Sequence, residues 1–250
     1  MNKAIVLDLD GTVYVGNKAL PGAEQAILNM RNQGYQVLFC TNNSSSTPNQ
    51  IRNKLANMNI SCEVDEIITS GMMVVDYIKN NGLNNIYISG PQQFIDYCLD
   101  NGVHISNEHE ADVLVISMDT NINYQKLTKL TRAALHSKFI IACNEDKLFQ
   151  KEDGLYPGCG AIVSSVLYCS NKTADLIIGK PNTFMMNYIS NRFQYSPLDI
   201  IMIGDSYDSD IIMANNYGCR SVLIGNDQRK KECISSLSDT SSWDWSSLFN

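Results

Sequence analysis

The chain has 250 residues, of which 44% are apolar, and its 26 acidic residues outnumber 19 basic ones to give a formal net charge of −7. This length and apolar content suffice for one large domain or two modest ones with buried cores, which argues against general disorder. An acidic protein gains little from a phosphate backbone, so we expect no nucleic-acid partner. The apolar runs are too short to span a bilayer, so we expect no membrane partner either.

The eight cysteines form no Cys-x-x-Cys pair, which disfavours a zinc site. The N-terminus has only a short apolar run, which Asp8 interrupts, and this is not the pattern of a signal peptide. We therefore expect reduced thiols and a cytoplasmic location.

The first part of the chain alternates between strand and helix patterns. Short apolar runs predict strands, apolar residues at helical spacing predict helices, and Thr47 followed by Pro48 is typical of a helix start. In chain order we predict a strand at 4–7, a helix at 21–34, a strand at 36–40, a helix from 48, a strand at 66–69 and a helix at 71–79. This alternation predicts a doubly wound parallel sheet of the α/β class.

The middle of the chain restarts the same alternation. We predict strands at 85–89, 112–117 and 139–143, and helices at 91–101, 124–135 and 158–168. Because this block has its own strands and helices, we interpret 81–178 as an inserted α/β domain that divides a core domain formed by 1–80 and 179–250. The last part predicts a helix at 182–193, strands at 199–203 and 220–224, and a short closing helix at 245–249 in a tail rich in Ser, Asp and Trp.

Two carboxylates follow the first predicted strand, in Asp8-Leu9-Asp10-Gly11-Thr12. Residues i and i+2 of an extended segment point the same way, so Asp8 and Asp10 can face one site, and Gly11 permits a sharp turn after them. Close carboxylates repel unless a cation or a shared proton relieves them. The carboxyl ends of parallel strands are where open α/β sheets bind ligands. Taken alone, the pattern equally fits an acidic loop without chemistry.

Two further polar segments have similar positions. Thr41, Asn42 and Asn43 follow the second strand and offer a hydroxyl and two amides that can donate to phosphate oxygens. Lys180, between Gly179 and Pro181, offers an ammonium that would neutralise clustered carboxylates and a phosphate. In isolation, each segment fits an ordinary role as well, loop capping for the first and a surface lysine for the second.

The segment 204–210, Gly-Asp-Ser-Tyr-Asp-Ser-Asp, follows another apolar strand. Mg²⁺ prefers hard oxygen ligands. Asp205 could supply one, and Asp210 could fix the loop or hold a metal-bound water. The alternative is an acidic helix N-terminus, which the helix dipole favours. A calcium loop is not indicated, because the Gly and the distal Glu of that motif are missing.

The order of these four segments is more specific than any one of them, and through it the whole chain resembles the haloacid dehalogenase (HAD) superfamily of phosphatases. The long insertion between Thr41 and Lys180 resembles the large-cap branch, the NagD-like and 4-nitrophenylphosphatase-like enzymes. Within it, 142–146 (Ala-Cys-Asn-Glu-Asp) is similar to that branch's Thr-Asn-Pro-Asp segment, and 156–161 (Tyr-Pro-Gly-Cys-Gly-Ala) to its Pro-Gly-x-Gly-Ala segment.

Two departures from the family pattern leave the catalytic groups intact. Glu145 stands where the cap segment usually has Pro, and 206–209 replaces a stretch in which relatives often carry a basic residue and a Thr, with Asp208 adding a third acid to the loop. The change in the cap bears on the choice of substrate.

The resemblance implies a HAD-like Rossmannoid core with a cap, and Mg²⁺-dependent hydrolysis of small phosphomonoesters through an aspartyl-phosphate. It implies the following roles: Asp8 as nucleophile, Asp10 as acid and base, Thr41 and Lys180 holding the phosphoryl group, Mg²⁺ on Asp8, Asp205 and the backbone carbonyl of Asp10, Asp210 beside the ion, and 12–20 as a turn and flap. Asn42 and Asn43 are candidate substrate contacts. Asn144, Asp146 and the turn at 158–161 are candidate leaving-group contacts, with folding of the cap as their alternative role.

The expected substrates are small molecules, with nucleoside monophosphates and sugar phosphates favoured by the resemblance and phosphoglycolate and pyridoxal phosphate left open. Large-cap relatives often pair through the cap, so a homodimer formed in this way is an open expectation. A dehalogenase is disfavoured by Asp10, a phosphomutase by the phosphatase-like cap, and a receiver-type phosphoacceptor by the distance in sequence from Thr41 to Lys180. A phosphate-sensing or regulatory protein without catalysis is the remaining alternative, although no catalytic group is lost.

Overall fold

The structure is a computed structural model that describes residues 3–151 and 153–224 and the backbone of 235–236. The strands, in chain order, are β1 Ala4–Leu7, β2 Tyr14–Val15, β3 Lys18–Ala19, β4 Gln36–Thr41, β5 Ile67–Thr69, β6 Ile86–Ser89, β7 Val113–Ile116, β8 Phe139–Ala142, β9 Leu148–Lys151, β10 Gly154–Pro157, β11 Leu176–Ile177, β12 Ile200–Gly204, β13 Arg220–Leu223 and β14 Ser235–Ser236. The helices are α1 Ala23–Asn32, α2 Pro48–Ala56, α3 Ser70–Asn80, α4 Gln92–Asp100, α5 Tyr124–His136, α6 Cys159–Ser170, α7 Phe184–Phe193 and α8 Ile212–Tyr217. The closing helix predicted at 245–249 lies outside the described residues.

Six parallel strands form the larger sheet, in the order β14-β13-β12-β1-β4-β5. All four residues of β1 are buried, because the strand is central and both of its faces are covered. Its side chains alternate between two apolar clusters, one shared with α1 and α2 and the other with α3, α7 and α8. The prediction of a doubly wound parallel sheet is therefore confirmed.

A second parallel sheet, in the order β11-β8-β7-β6, is formed by the middle of the chain. Leu114 and Ile116 face α5 and α6, whereas Val113 and Val115 join the apolar cluster that extends to α3 of the larger sheet. The Tyr77 ring also stacks on the Phe139 ring with centroids 6.4 Å apart. The smaller sheet thus packs against the larger one through a continuous apolar cluster. The domain bounds at 80/81 and 178/179 stay a proposal.

The antiparallel hairpin β9–β10 has no counterpart in the sequence-based prediction. Its exposed positions include Leu148 and Leu155, whereas Phe149 and Lys151 are half-buried. Apolar and polar residues are therefore mixed on both faces, which removes the alternation by which a strand is recognised. A five-residue π-helical turn at Tyr207–Ile211, which leads into α8, was also not predicted.

Of the helices within the described ranges, none combines the length and the apolar character needed to cross a bilayer.

Candidate active site

The carboxyl ends of three strands of the larger sheet bring three of the polar segments to one cleft, and the segment after β11 of the smaller sheet brings the fourth. Asp8 follows β1, Thr41 ends β4 and Asp205 follows β12, while Lys180 comes from the segment after β11. Parallel strands necessarily end on the same edge of the sheet, so residues far apart in sequence meet there. The cleft has a volume of about 820 Å³, and residues of the middle block, including Phe149, form its other wall.

Lys180 is the centre of a buried ionic network. Its Nζ donates to Asp8 Oδ1 at 2.5 Å, to Asp210 Oδ1 at 2.6 Å and to the Cys40 carbonyl oxygen at 3.1 Å. These three bonds use all three ammonium donors. Burial alone lowers the pKa of Lys180, but the carboxylates of Asp210 and Asp8 raise it well above its ordinary value. The lysine therefore stays charged and holds two acids in fixed positions.

Asp8, Asp205 and Asp210 form an acidic cluster in which one oxygen of each lies within 4.8 Å of the others. Burial, followed by repulsion from neighbouring carboxylates, raises the pKa values of Asp205 and Asp210. Three clustered carboxylates exceed the charge that Lys180 can offset, so the cluster favours a cation. Asp210 has both oxygens in use, one with Lys180 and the other accepting from the Ser206 backbone N–H at 3.1 Å. Asp8 and Asp205 are therefore the better placed ligands.

Two glycines permit this crowding. Gly11 has φ +88°, and a Cβ there would lie 2.3 Å from Asp205 Oδ2. A Cβ at Gly204 would lie 2.1 Å from Asp210 Oδ2. Both motifs thus need glycine for close approach, and Gly11 needs it for its positive φ as well. The Thr12 hydroxyl further donates to Asp205 Oδ1 at 3.1 Å, a contact that was not predicted from the sequence.

The Asp10 carboxyl faces the cleft, where water reaches it. The cleft walls nevertheless displace much of the surrounding water, and this desolvation raises the pKa of Asp10 to about 6, with Lys54 opposing the rise and Asp8 adding to it. The Tyr14 hydroxyl donates to Asp10 Oδ2 at 3.5 Å. With this pKa, Asp10 beside the buried Asp8 is half-protonated near pH 6 and about one-tenth protonated at pH 7.

The three polar residues after β4 differ in role. The Thr41 hydroxyl oxygen accepts from the Asn43 backbone N–H at 3.1 Å, and Asn43 Oδ1 accepts from the backbone N–H groups of Ser45 and Ser46. The Asn42 amide is fully engaged within the protein: it accepts from the Lys180 backbone N–H at 2.7 Å and donates to the Lys180 carbonyl and to Asp146 Oδ1. All three line the cleft, and direct contact with substrate remains a prediction for Asn42 and Asn43.

The cap segment around Asn144 joins the two sheets. The Asn144 amide donates to the Asn42 carbonyl at 2.7 Å, and Asp146 accepts from the Asn42 side chain at 2.9 Å. Burial raises the pKa of Asp146. A Cβ on Gly158 would lie 2.1 Å from the Asp146 carbonyl oxygen, so the glycine turn packs directly on this segment. These contacts give Asn144, Asp146 and the turn at 158–161 a role in folding. Contact of these residues with the leaving group stays a prediction.

Several residues that border the cleft were missed by the sequence-based prediction. Lys54 lies on α2, and Phe149 and Lys151 lie on the unpredicted hairpin. The Lys151 ammonium is 4.4 Å from the Tyr156 ring centroid. Nothing in the sequence around Lys54 distinguishes it from an exposed helix residue, so only the fold reveals its position.

Two models of known protein families match this chain. A model of the haloacid dehalogenase-like hydrolase family matches residues 5–104, and a HAD-hydrolase-like model matches residues 177–242. The chain belongs to the haloacid dehalogenase-like hydrolase family. The two matches leave 105–176 between them, within the block predicted as an insertion.

Similar proteins of this hydrolase family are phosphatases. An acid sugar phosphatase from Staphylococcus epidermidis is 34% identical over 223 residues, which are 89% of this chain and 86% of that protein. The structure of 4-nitrophenylphosphatase from Thermotoga maritima has a TM-score of 0.87 and 26% identity, covering 95% of this chain and 94% of that one. A double mutant of a thermostable NPPase from Geobacillus stearothermophilus has a TM-score of 0.86 and 27% identity, covering 98% of both chains.

These relatives confirm the predicted resemblance to large-cap HAD enzymes and the prediction that this chain is a phosphatase. They argue against the alternative of a sensor without catalysis.

Proposed function

We propose that this hydrolase is a Mg²⁺-dependent sugar-phosphate phosphatase that acts through a phosphoryl group carried on Asp8. The S. epidermidis relative is named an acid sugar phosphatase. That similarity favours sugar phosphates over the nucleotides that the family resemblance had left equally open. Mg²⁺ dependence, the role of Asp8, a homodimer through the cap and a cytoplasmic location are parts of the proposal.

The observation that carries the proposal is the buried Asp8–Lys180–Asp210 network that lines the cleft. A carboxylate meets a phosphate dianion only if nearby positive charge offsets their repulsion. Lys180 supplies part of this charge and fixes the Asp8 carboxylate at the same time. Such an arrangement suits attack by a carboxylate on phosphorus.

The acidic cluster fits a magnesium ion. Carboxylates are the hard oxygen donors that Mg²⁺ prefers, and burial and the neighbouring carboxylates raise the pKa values of Asp205 and Asp210 even though Lys180 opposes the rise. We assign Asp8, Asp205 and the backbone carbonyl of Asp10 to hold the ion, with Asp210 fixing the loop. When bound, the ion supplies positive charge that offsets the developing charge on the phosphoryl oxygens.

In the first step, an Asp8 oxygen attacks phosphorus, the bond from phosphorus to the ester oxygen breaks, and the departing sugar alkoxide takes the Asp10 proton. In the second step, water attacks phosphorus, the bond from Asp8 to phosphorus breaks, and Asp10 takes the proton of the water. One carboxyl therefore serves as acid and then as base. We assign the Thr41 hydroxyl to hold a phosphoryl oxygen, and Lys180, whose three donors are engaged within the protein, to offset the phosphoryl charge. We assign the cap wall to limit access of water during the first step.

The test is phosphate release from a hexose phosphate and from 4-nitrophenyl phosphate, with Mg²⁺ and with EDTA. We expect EDTA to abolish release and added Mg²⁺ to restore it. Asp8→Asn should abolish turnover, because an amide oxygen is a poor nucleophile. The matched control is Asp208→Asn, which removes a carboxylate from the same metal loop at an exposed position; it should retain activity.

Mass spectrometry of acid-quenched enzyme should find phosphate on the peptide that contains Asp8. With 4-nitrophenyl phosphate, whose leaving group needs no acid, Asp10→Asn should increase this phosphate by slowing its hydrolysis. Normal phosphate release by Asp8→Asn, or full activity in EDTA, would refute the proposed mechanism.

A further inference from the structure

Lys54, Tyr14 and Asp10 form a chain of contacts from helix α2 into the cleft. The Lys54 Nζ lies 3.6 Å from the centroid of the Tyr14 ring. The hydroxyl of the same ring donates to Asp10 Oδ2 at 3.5 Å. Lys54 and Asp10 both border the cleft, whereas Tyr14 is buried between them. The position of the Asp10 carboxyl is thereby linked to a cation on another element.

The backbone holds Tyr14 and Asp10 in one rigid turn. The Gly11 N–H donates to the Tyr14 carbonyl at 2.8 Å, and the Tyr14 N–H donates to the Leu9 carbonyl at 3.1 Å. The helix that carries Lys54 is anchored independently, because α2 begins with a capping box in which Thr47 and Gln50 bond each other's backbone N–H groups. The Tyr14 ring is therefore held from two sides, by its own turn and by the cation above its face.

We infer that Lys54 is a positioning residue for Asp10, acting through the Tyr14 ring, and this inference rests on the proposed function. The Asp10 carboxyl is open to the cleft, and Asp8, two residues away, repels it. A bond from the Tyr14 hydroxyl to Oδ2 leaves the other oxygen to meet the ester oxygen, where hydrogen-bond reach is needed for proton transfer. The Lys54 cation fixes the ring by a cation–π contact and polarises its hydroxyl as a donor.

The leaving group distinguishes this role from others. A sugar alkoxide leaves poorly and needs the Asp10 proton, whereas 4-nitrophenolate leaves without one. A lysine that touched the phosphoryl group, or that only supported the fold, would affect both substrates alike. The appropriate quantity is kcat/KM, because it reports the steps up to formation of the phosphoenzyme and excludes the later hydrolysis in which Asp10 acts as base.

The experiment compares Lys54→Met, Lys54→Arg and Tyr14→Phe with the wild-type full chain at saturating Mg²⁺. General acids contribute roughly 10²–10⁴-fold, so partial loss of positioning should lower kcat/KM for a hexose phosphate by about tenfold or more in Lys54→Met and Tyr14→Phe. We expect less than about threefold loss for 4-nitrophenyl phosphate, whose departure does not require that acid. Lys54→Arg keeps a cation over the ring and should restore both values.

In the double variant Lys54→Met/Tyr14→Phe, kcat/KM for the hexose phosphate should fall no further than in either single variant, because both changes break the same chain of contacts. Lys79→Met, which removes an exposed lysine from the end of α3, serves as control and should change neither substrate. Thermal unfolding checks that each variant is folded. If Lys54→Met does not fold, the more conservative Tyr14→Phe still tests the inference.

Equal losses for the two substrates, or additive losses in the double variant, would overturn the inference. Failure of the proposed function gives a different result, because the wild-type enzyme would then release phosphate from neither ester or would do so with Asp8→Asn as well.

Discussion

Gly11 occupies a position where any side chain would meet the Asp205 carboxylate. Its φ is +88°, and a Cβ there would lie 2.3 Å from Asp205 Oδ2 and 2.7 Å from the carboxyl carbon. Real Cβ atoms essentially never approach closer than 3.0 Å. In Gly11→Ala, the Asp205 carboxylate must therefore move, because the end of a side chain yields more easily than the packed backbone of the turn.

Gly34 provides a matched control for the backbone. Its φ is +86°, and a Cβ there would meet no atom within 4 Å. Holding alanine in the left-handed region costs about 1–2 kcal/mol, and each kcal/mol lowers the melting temperature of a chain of this size by about 2–4 °C. The melting temperature of Gly34→Ala should thus fall by about 2–8 °C. The melting temperature of Gly11→Ala should fall by at least as much, and further if movement of Asp205 does not fully relieve the clash.

The assay combines thermal unfolding with the Mg²⁺ concentration that gives half-maximal hydrolysis of 4-nitrophenyl phosphate. Displacement of one carboxylate ligand should raise that concentration at least about tenfold in Gly11→Ala, which corresponds to about 1.4 kcal/mol of binding energy. Gly34→Ala should keep the wild-type value. Equal Mg²⁺ requirements in the two variants would refute the reasoning, because Asp205 would then not hold the ion against Gly11.

Two further predictions concern protons and charge. Burial raises the pKa of Asp10 to about 6, so its acid form predominates below that pH and is lost above it. We therefore expect kcat/KM for a hexose phosphate to fall about tenfold per pH unit above the pKa. A flat profile from pH 5 to 8 would contradict this. Lys180→Met leaves Asp8 and Asp210 buried without their cation, which should cost about 3–5 kcal/mol by calorimetry. Lys138→Met breaks only the exposed pair with Asp112 and should cost at most about 1 kcal/mol, so equal losses in the two variants would refute the structural role of Lys180.

Most of the polar segments at the cleft could be predicted from the sequence, because a local pattern marks each of them. Asp8 and Asp205 both directly follow short apolar strands, and a parallel sheet places all such ends on one edge. The geometry needed no knowledge of loops or of the cap. Lys180 is different, since nothing local marks it, and only its order after the other segments and the family resemblance identified it.

Residues that act across elements could not be predicted in this way. Lys54 reaches Tyr14 only because α2 packs beside the turn after β1, and no periodicity in the sequence encodes that contact. The hairpin with Phe149 and Lys151 was missed because its local pattern is misleading. Its exposed positions include leucines, and its half-buried positions include a lysine. An aromatic–lysine contact compensates there for burial of a charge, and binary patterning does not anticipate it.

The amide side chains near the cleft show the limit of inference from residue type. An asparagine donates equally well to a phosphate oxygen and to a carbonyl, so Asn42 and Asn144 were predicted to contact substrate. In the structure, Asn42 bonds the Lys180 backbone on one side and Asp146 on the other, and Gly179 lacks a side chain where a Cβ would lie 2.7 Å from Asn42 Oδ1. One amide thus sets the position of the lysine that holds Asp8 relative to Asp146 in the cap wall of the cleft. Residues at this joint can govern catalysis by alignment, whether or not they touch the substrate.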